Sequence, residues 1–472
     1  MSVRQHQDIF LSVLQTLQKP SIANDDRLPM LLGFQAIGEN QRSTTTLIER
    51  GKGIFVYDSE GREYIEASSS FYVAALGYMH EELIEAIKEQ YSTLPFYTSA
   101  IQRTSQVALD LAERLTELIP VDDSHILFAT TGSEANDFLI KLFWFRAVAR
   151  GLPQKRKIIG RHGSYAGGTL GTASLTGAHH GEFGLPLPDF LHVSQPDFHG
   201  CRFAGETKSE YSDRLSDELK TLLEAQPEQS IAAMVAEPVS FSGGISIPPA
   251  DYFRKITKIL RTFEVDLVVD EVITGFGRTG AWFGSQTLGI EPDHLVSAKG
   301  ITAGYFPLSV AAIGSDMYAD LENGSAKMGT LAHAATYAAH PVGAATALKT
   351  IEIMHRDGVI AAAKSKGEYF AQQLAHLGEH PLVGDIRTIG LSAAIDFFRR
   401  DIQDDAINDD AGTVATAVSA CLLKEGVVAR QTERCVQFAP PLIIKHAEID
   451  LLVERTSKAL DMALDQVQKY SN

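Results

Sequence analysis

Short apolar runs recur through the middle of the chain, and stretches with helical character separate several of them. Most of these runs are continuously apolar and rich in Val, Ile and Ala, which is typical of strands buried on both faces of a sheet. Helices between such strands indicate βαβ units and a mostly parallel sheet. The predicted strands are HILFAT (125–130), KIIGR (157–161), IAAMVAEPV (231–239), VDLVVDEV (265–272), HLVSAK (294–299) and LSVAAIG (308–314).

The two ends of the chain have a different pattern. The N-terminal part contains a probable hairpin, GIFVYDSEGREYIEA (53–67), and the C-terminal part alternates weaker strands with helices. With 472 residues, the chain exceeds the limit of about 250–300 residues for one hydrophobic core. We therefore predict a large domain over residues 75–341. A smaller α+β domain is expected from the N-terminal segment 1–74 together with residues 342–472.

Composition limits the possible partners and the compartment. The formal charge of −17 argues against nucleic acid as a partner. The chain has three cysteines without metal-ligand spacing, which indicates a reducing compartment. No apolar stretch approaches the roughly 18 residues of a membrane span, and residues 1–20 are expected to form an amphipathic helix, because a signal peptide needs a longer apolar region. We expect a cytoplasmic enzyme that binds neither nucleic acid nor a membrane, and no metal site is indicated.

Three charged residues, Glu237, Asp270 and Lys299, each lie at the end of a predicted strand. Taken singly, the glutamate could form an ion pair in a cleft wall, the aspartate could cap a helix and the lysine could be solvated. However, the carboxyl ends of parallel strands meet at one edge of the sheet, where open α/β sheets bind ligands. Their convergence at that edge therefore indicates a functional site.

A second group of residues could bind an anion or a flat ring. Gly132 and Ser133 lie between a predicted strand and a helix, where backbone N–H groups can hold a phosphate. Tyr165 could stack on a ring beside that phosphate, and Thr336 could donate a hydrogen bond to it. Taken singly, residues of these kinds more often belong to an ordinary helix cap, a surface loop and close helix packing.

An aspartate and a lysine at adjacent strand ends match the needs of pyridoxal 5'-phosphate. The lysine amine forms a Schiff base with this cofactor, and the aspartate keeps the pyridine nitrogen protonated so that the ring withdraws electrons. The sequence therefore predicts pyridoxal phosphate as the cofactor, with Lys299 and Asp270 as catalytic residues. Val272 could pack on the face of the ring opposite Tyr165.

From about residue 45 to 460 the chain resembles the class III (subgroup II) pyridoxal-phosphate aminotransferases. The resemblance is carried by TTGSEAND, AEPV, VVDEVITGFGRTG, LVSAKGITAGYFPLS and TYAAHP. It implies the fold type I architecture of such enzymes, which is an aspartate-aminotransferase-like α/β fold. It also implies that Lys299 is the Schiff-base lysine and Asp270 the partner of the pyridinium nitrogen.

The same resemblance implies the other cofactor contacts. Gly132 and Ser133 would form the phosphate cup, and Glu237 would lie at the cofactor. Val272 and Tyr165 would enclose the ring. Thr336 would reach the phosphate of the neighbouring subunit, in a homodimer or a tetramer with its active site at the interface.

Two departures from the family pattern bear on the substrates. The YHG motif has Ala166 in place of histidine, and Ser242 stands where members that use 2-oxoglutarate usually have glutamate. The second departure favours the branch that passes the amino group of amines or ω-amino acids to pyruvate. In that branch the segment SSFYVAALGY places Phe71 and Tyr72 at the substrate, and Arg430 is the candidate for the substrate carboxylate.

The predicted function is a ping-pong transaminase that moves an amino group from an amine or ω-amino acid to an α-keto acid, with pyruvate favoured. A 4-aminobutyrate-type aminotransferase using 2-oxoglutarate is one alternative. A class III aminomutase or decarboxylase would share every cofactor residue. A binding protein without activity would be expected to lack Lys299 or Asp270, and both are present.

Overall fold

The computed structural model of the protein describes residues 28, 30–34, 45–177, 181–397 and 411–471. The helix predicted for residues 1–20 lies outside the described residues. In the described part of the chain, no helix is both long enough and apolar enough to cross a membrane.

The predicted N-terminal hairpin is present. Strand β1 spans Ile48–Lys52, β2 spans Phe55–Asp58 and β3 spans Glu63–Glu66, and all three pair antiparallel in sequence order. A fourth strand, Val427–Val428, runs parallel to β3. This pairing brings the two ends of the chain into one sheet, as expected for a domain formed from both, although the domain boundaries themselves stay a prediction.

Eight strands form the large sheet, and all six strands predicted in this region are present. The strands are β4 (His125–Ala129), β5 (Lys157–His162), β6 (Thr176–Gly177), β7 (Phe190–Val193), β8 (Ile231–Ala236), β9 (Asp266–Asp270), β10 (His294–Ser297) and β11 (Ser309–Ile313). The order is β4-β11-β10-β9-β8-β5-β6, with β7 also paired to β5. Every pairing is parallel except those of β11, which runs antiparallel between β4 and β10. The prediction of a mostly parallel sheet is confirmed.

Helices follow the strands and cover the sheet. Those of eight residues or more are α1 (Glu81–Thr93), α2 (Gln106–Leu118), α3 (Gly132–Ala149), α6 (Lys208–Glu224), α7 (Tyr252–Thr262), α9 (Ser315–Met328), α10 (Pro341–Arg356), α11 (Val359–Ala375), α12 (Ala411–Lys424) and α13 (His446–Ser471). The shorter right-handed helices of the described residues include α4 (Leu170–Leu175), α5 (Phe198–Cys201) and α8 (Gly284–Leu288).

The sheet is buried on both faces, which explains the apolar runs in the sequence. In β9, Val268 packs with α3 and α9 on one face, whereas Leu267 and Val269 pack with α6 and α7 on the other. Alternate residues of a strand point to opposite faces, so a strand between two helical layers has to be apolar throughout. Asp270 interrupts this pattern at the carboxyl end of β9, where the site lies.

A second antiparallel sheet lies in the C-terminal part. It contains β12 (Asp385–Thr388), β13 (Ala393–Asp396), β15 (Arg430–Gln431) and β16 (Cys435–Phe438), in the order β12-β13-β16-β15, and β14 is the Val427–Val428 strand described above. Arg430 stands directly opposite Gln437 in the pairing of β15 with β16. This pairing sets the side chains of Arg430 and Gln437 next to each other on one face of the sheet.

Candidate active site

A cavity of about 360 Å³ opens at the carboxyl ends of the central strands, within the range of known small-molecule sites. Nine of the eleven residues predicted from sequence line it: Phe71, Gly132, Ser133, Tyr165, Glu237, Asp270, Val272, Lys299 and Arg430. Tyr72 is buried beside the cavity, with its ring centroid 5.5 Å from the Nζ of Lys299. Thr336 is exposed and does not line the cavity of the single chain.

Asp270 is held at the end of β9 by two hydrogen bonds. Its Oδ2 accepts from Nδ2 of Asn136 at 2.8 Å, and its Oδ1 accepts from the backbone N–H of Val272 at 3.0 Å. The residue is only 4% exposed, and burial raises the pKa of its carboxyl, although both hydrogen bonds act in the opposite direction. A buried carboxylate of this kind is well suited to pair with a protonated ring nitrogen.

Lys299 follows β10, which runs parallel to β9. Val296 of β10 pairs with Asp270 of β9, so Lys299 lies three residues beyond the level of Asp270. It has a φ of 44°, in the left-handed region that non-glycine residues rarely adopt. Burial and the positive charge of Arg430 together lower the pKa of its amine to about 8, against the opposing effect of the carboxylates of Asp270 and Glu237. About a tenth of the amine is therefore neutral, and hence nucleophilic, at pH 7, compared with less than about a thousandth for an ordinary lysine.

Glu237 lies level with Asp270, because Ala236 of β8 pairs with Val269 of β9. Its only cationic partner among the described residues is the fully buried Arg161, whose Nη2 lies 3.4 Å from Oε2 and donates to the backbone oxygen of Glu237 at 2.7 Å. Burial raises the pKa of the Glu237 carboxyl to about 7, Arg161 opposes this shift, and the nearby charge of Asp270 adds to it.

The N-terminus of α3 forms a further part of the cavity wall. Thr131 caps this helix by accepting from the N–H of Glu134 at 3.1 Å, and Gly132 and Ser133 form its first turn. A Cβ added to Gly132 would lie 2.7 Å from Cγ2 of Val272, so only glycine lets Val272 approach this closely. The helix N-terminus thus remains open toward the cavity and can bind an anion.

The donor set fits pyridoxal phosphate. Asp270 offers a carboxylate for the ring nitrogen, the first turn of α3 offers N–H groups and the Ser133 hydroxyl for the phosphate, and Lys299 offers an amine in the same cavity. Val272 and Tyr165 line the same cavity and supply an aliphatic and an aromatic surface for a flat ring. Tyr165 remains 37% exposed, and its ring contacts Phe34 edge-on at 6.4 Å.

Phe71 and Tyr72 lie in a left-handed turn. Four consecutive residues, Ser69 to Tyr72, have φ between 49° and 69°, at a cost of roughly 1–2 kcal/mol for each non-glycine residue. The turn is anchored by the Oγ of Ser69, which donates to the backbone oxygen of Ala439 at 2.6 Å. It places the ring centroids of Phe71 and Tyr72 at 5.0 Å and 5.5 Å, respectively, from the Cζ of Arg430.

Arg430 presents a cation to the cavity. Among the residues that the structure describes, no carboxylate forms an ion pair with it. Ser242, which also lines the cavity, donates its hydroxyl to the backbone oxygen of Gly163 at 3.1 Å and brings no charge. The guanidinium can therefore receive the carboxylate of a substrate.

Three residues of the site escaped the sequence-based prediction. Asn136 belongs to the quoted motif TTGSEAND, and its position one helical turn after Ser133 was the available signal. Arg161 is a charged residue within the strand KIIGR, and Gln437 is a polar residue within CVQFAPPLII. Each becomes interpretable only when its partner, distant in sequence, is known.

The raised pKa of Glu237 predicts a pH dependence of stability in the protein without cofactor. Because the folded pKa of about 7 exceeds the ordinary value of 4.5, this carboxyl stabilises the fold fully below about pH 4.5. That contribution, on the order of 3 kcal/mol, is lost as the pH rises through 7. Urea denaturation from pH 5 to 8 should therefore show a smaller loss of unfolding free energy in Glu237→Gln than in wild type.

The exposed Glu291 provides a control for this prediction, since Glu291→Gln should keep the wild-type pH dependence. If the free energy of unfolding depends on pH in the same way in Glu237→Gln and in wild type, the result would contradict the raised pKa of Glu237.

Comparison with known proteins agrees with the site. A sequence model of the family described as aminotransferase class-III matches residues 36–460. Vanillin aminotransferase of Capsicum frutescens is 34% identical, over 96% of this chain and 98% of its own length. A mitochondrial gamma aminobutyrate transaminase of Solanum lycopersicum is 35% identical, over 94% and 86%.

The solved structures point to the same family. The omega transaminase of Pseudomonas jessenii in complex with PMP superposes with a TM-score of 0.89 at 37% identity, covering 93% of this chain and 97% of that one. With nearly the whole chain matched, the protein belongs to the class III aminotransferases, which are enzymes that depend on pyridoxal 5'-phosphate.

Proposed function

We propose that the protein transfers the amino group of an amine or ω-amino acid to an α-keto acid, with pyruvate as the acceptor. The observation that supports amino transfer is the placement of Lys299 and Asp270 at adjacent strand ends in one cavity. The observation that supports pyruvate is Arg430, which faces a cavity where Ser242 brings no competing carboxylate. Of the compounds that name the relatives, gamma-aminobutyrate is an ω-amino acid and fits a donor of this class, and vanillin is an aldehyde whose amination would give a primary amine.

In this proposal the cofactor is held at three points. Asp270 binds the ring nitrogen, the first turn of α3 with Ser133 binds the phosphate, and Lys299 holds the aldehyde carbon. When bound, pyridoxal phosphate supplies a carbonyl that condenses with amines and a ring that withdraws electrons from the substrate carbon. Glu237 forms an ion pair with Arg161, and when ionised it adds negative charge near Asp270.

Lys299 is proposed as the general acid and base. With a pKa of about 8, its Nζ can remove a proton from the amine-bearing carbon of the donor and deliver one to the carbonyl carbon of the acceptor. Arg430 lowers the pKa of Lys299 and binds the acceptor carboxylate at the other end of the cavity. The aliphatic and aromatic side chains of Val272 and Tyr165 line the cavity and would limit the access of water to the two faces of a bound ring.

We further propose a homodimer whose active sites lie at the interface, as the exposed residues near Thr336 suggest. Thr336 is exposed, and its neighbour Tyr337, 61% exposed, forms an aromatic pair with Phe96 at 5.6 Å. Such exposed apolar surface is typical of an interface, and a second chain seated there would bring Thr336 toward the phosphate end of the other cavity. A cytoplasmic location stays a prediction from the cysteine content.

Substitution of Lys299 tests the catalytic assignment. Lys299→Ala should abolish amino transfer and remove the visible absorbance of covalently held cofactor, because the only cavity amine among the described lining residues is lost. Lys366→Ala is the matched control, since Lys366 is half-buried with a pKa also lowered by burial but lies outside the cavity. Turnover by Lys299→Ala at more than a few per cent of the control would refute the assignment.

The acceptor can be tested by counting alanine and glutamate formed from one amine donor with pyruvate and with 2-oxoglutarate. We expect pyruvate to be favoured at least tenfold, because one carboxylate matches one free guanidinium. Ser242→Glu should reduce the preference by placing a carboxylate in the cavity near Arg430, while Ser242→Thr should not. A wild-type preference for 2-oxoglutarate would favour the 4-aminobutyrate-type alternative, and turnover without any keto acid would favour a mutase or decarboxylase.

The shared site predicts that dimerisation and cofactor retention are linked. Sedimentation velocity should show a dimer, and the paired change Phe96→Glu with Tyr337→Glu should give monomers that lose cofactor on dialysis, since buried like charges oppose association. Phe203→Glu, at another exposed aromatic, is the control. A monomeric wild type, or monomeric variants that retain cofactor, would overturn this part of the proposal.

A further inference from the structure

Gln437 occupies a position that the proposed function does not use. It is completely buried and stands directly opposite Arg430 in the antiparallel pair β15–β16. Directly opposite residues of such a pair project on the same face of the sheet. The side chain of Gln437 therefore lies next to that of the substrate-binding arginine.

Both ends of the Gln437 side-chain amide have partners. Its Nε2 donates to the backbone oxygen of Phe241 at 2.8 Å, and its Oε1 accepts from the hydroxyl of Tyr72 at 2.5 Å. Because a backbone oxygen can only accept, the amide has a single satisfactory orientation, and the hydroxyl proton of Tyr72 has to point at Gln437. The amide thus links the Ser242 loop, through Phe241, to the Tyr72 ring.

The Tyr72 ring is a support for Arg430. The guanidinium carbon lies 5.5 Å from the centroid of this ring and 5.0 Å from that of Phe71. Both rings belong to the left-handed turn. The start of this turn is held by the hydrogen bond from the Oγ of Ser69 to the backbone oxygen of Ala439. The hydroxyl bond to Gln437 and the edge-on contact with Phe241 at 4.9 Å fix the far end of the Tyr72 ring.

We propose that Gln437 is a positioning residue for substrate recognition. By fixing the hydroxyl of Tyr72, its amide keeps the ring in place under Arg430, and so holds the guanidinium where it meets a substrate carboxylate. The inference rests on the proposed function insofar as Arg430 binds that carboxylate. Substrates with a carboxylate should depend on Gln437, and amines without one should not.

Gln437→Leu removes both hydrogen bonds at nearly unchanged volume. We expect the KM for pyruvate to rise about fivefold, the value of one net buried hydrogen bond, with kcat changed less than twofold. The half-reaction with 1-phenylethylamine, which has no carboxylate, should change less than twofold. Equal losses for pyruvate and for the amine would show a merely structural role and overturn the proposal.

Gln431→Leu is the matched control. Gln431 is the neighbour of Arg430 on β15, and its Nε2 donates to Oγ1 of Thr416 on α12, away from the cavity. The substitution removes one hydrogen bond from the same strand and should leave the KM for pyruvate unchanged. A fivefold rise in this control as well would assign the effect to the strand and overturn the proposal.

Tyr72→Phe breaks the same hydrogen bond from its other end. It should raise the KM for pyruvate as Gln437→Leu does, and the double variant should raise it by less than the product of the two single effects, because both substitutions remove the bond between Tyr72 and Gln437. Additive effects would overturn the proposal. If Gln437→Leu does not fold, Tyr72→Phe alone tests the proposal. An unchanged KM for pyruvate in Tyr72→Phe would then contradict it.

A binding measurement separates this inference from the proposed function. Propionate, a carboxylate without an amino or keto group, can be titrated calorimetrically into the holoenzyme, with no turnover required. Its dissociation constant should rise about fivefold in Gln437→Leu and stay unchanged in Gln431→Leu. Failure of wild type to transfer amino groups while this difference persists would refute the proposed function alone, whereas equal propionate affinities would refute the role of Gln437.

Discussion

The site depends on the burial of opposite charges at the carboxyl edge of a sheet that is apolar on both faces. Asp270 and Glu237 stand level on neighbouring strands, and Lys299 follows the next strand. In such surroundings each charge has to be balanced locally, since burial penalises an isolated one. Asn136 and Arg161 supply this balance for the two carboxylates, whereas the like charge of Arg430 opposes the charge of Lys299. Burial and these charges together bring the pKa values of the Lys299 amine and the Glu237 carboxyl near neutrality.

The same edge divides the cavity into parts with separate tasks. Asp270 and the N-terminus of α3 offer a carboxylate and N–H donors in one cavity, which suits a cofactor with a basic nitrogen and a phosphate. Arg430 comes from a different sheet, and the left-handed turn carrying Tyr72 supports it. The strain of that turn is offset by Ser69 and Gln437, so recognition of the substrate carboxylate depends on contacts between the two ends of the chain.

Much of the fold and of the cofactor end could be predicted from sequence, because strands between two helical layers are continuously apolar and a charged residue at the end of such a run marks the ligand-binding edge. The left-handed turn could not, since it contains neither glycine nor asparagine. The pairing of Arg161 with Glu237 depends on β5 lying beside β8, a neighbour relation that periodicity does not encode. Thr336, exposed in the single chain, requires a partner subunit for its predicted role.

The central claim is that Lys299 is the amine that holds the cofactor. Its most direct test is reduction of the holoenzyme with sodium borohydride, which fixes the cofactor to the nitrogen that carries it, followed by proteolysis and mass spectrometry. The account predicts the phosphopyridoxyl group on the peptide that contains Lys299, in one copy per chain. Recovery of the group on another lysine, with the Lys299 peptide unmodified, would contradict the account.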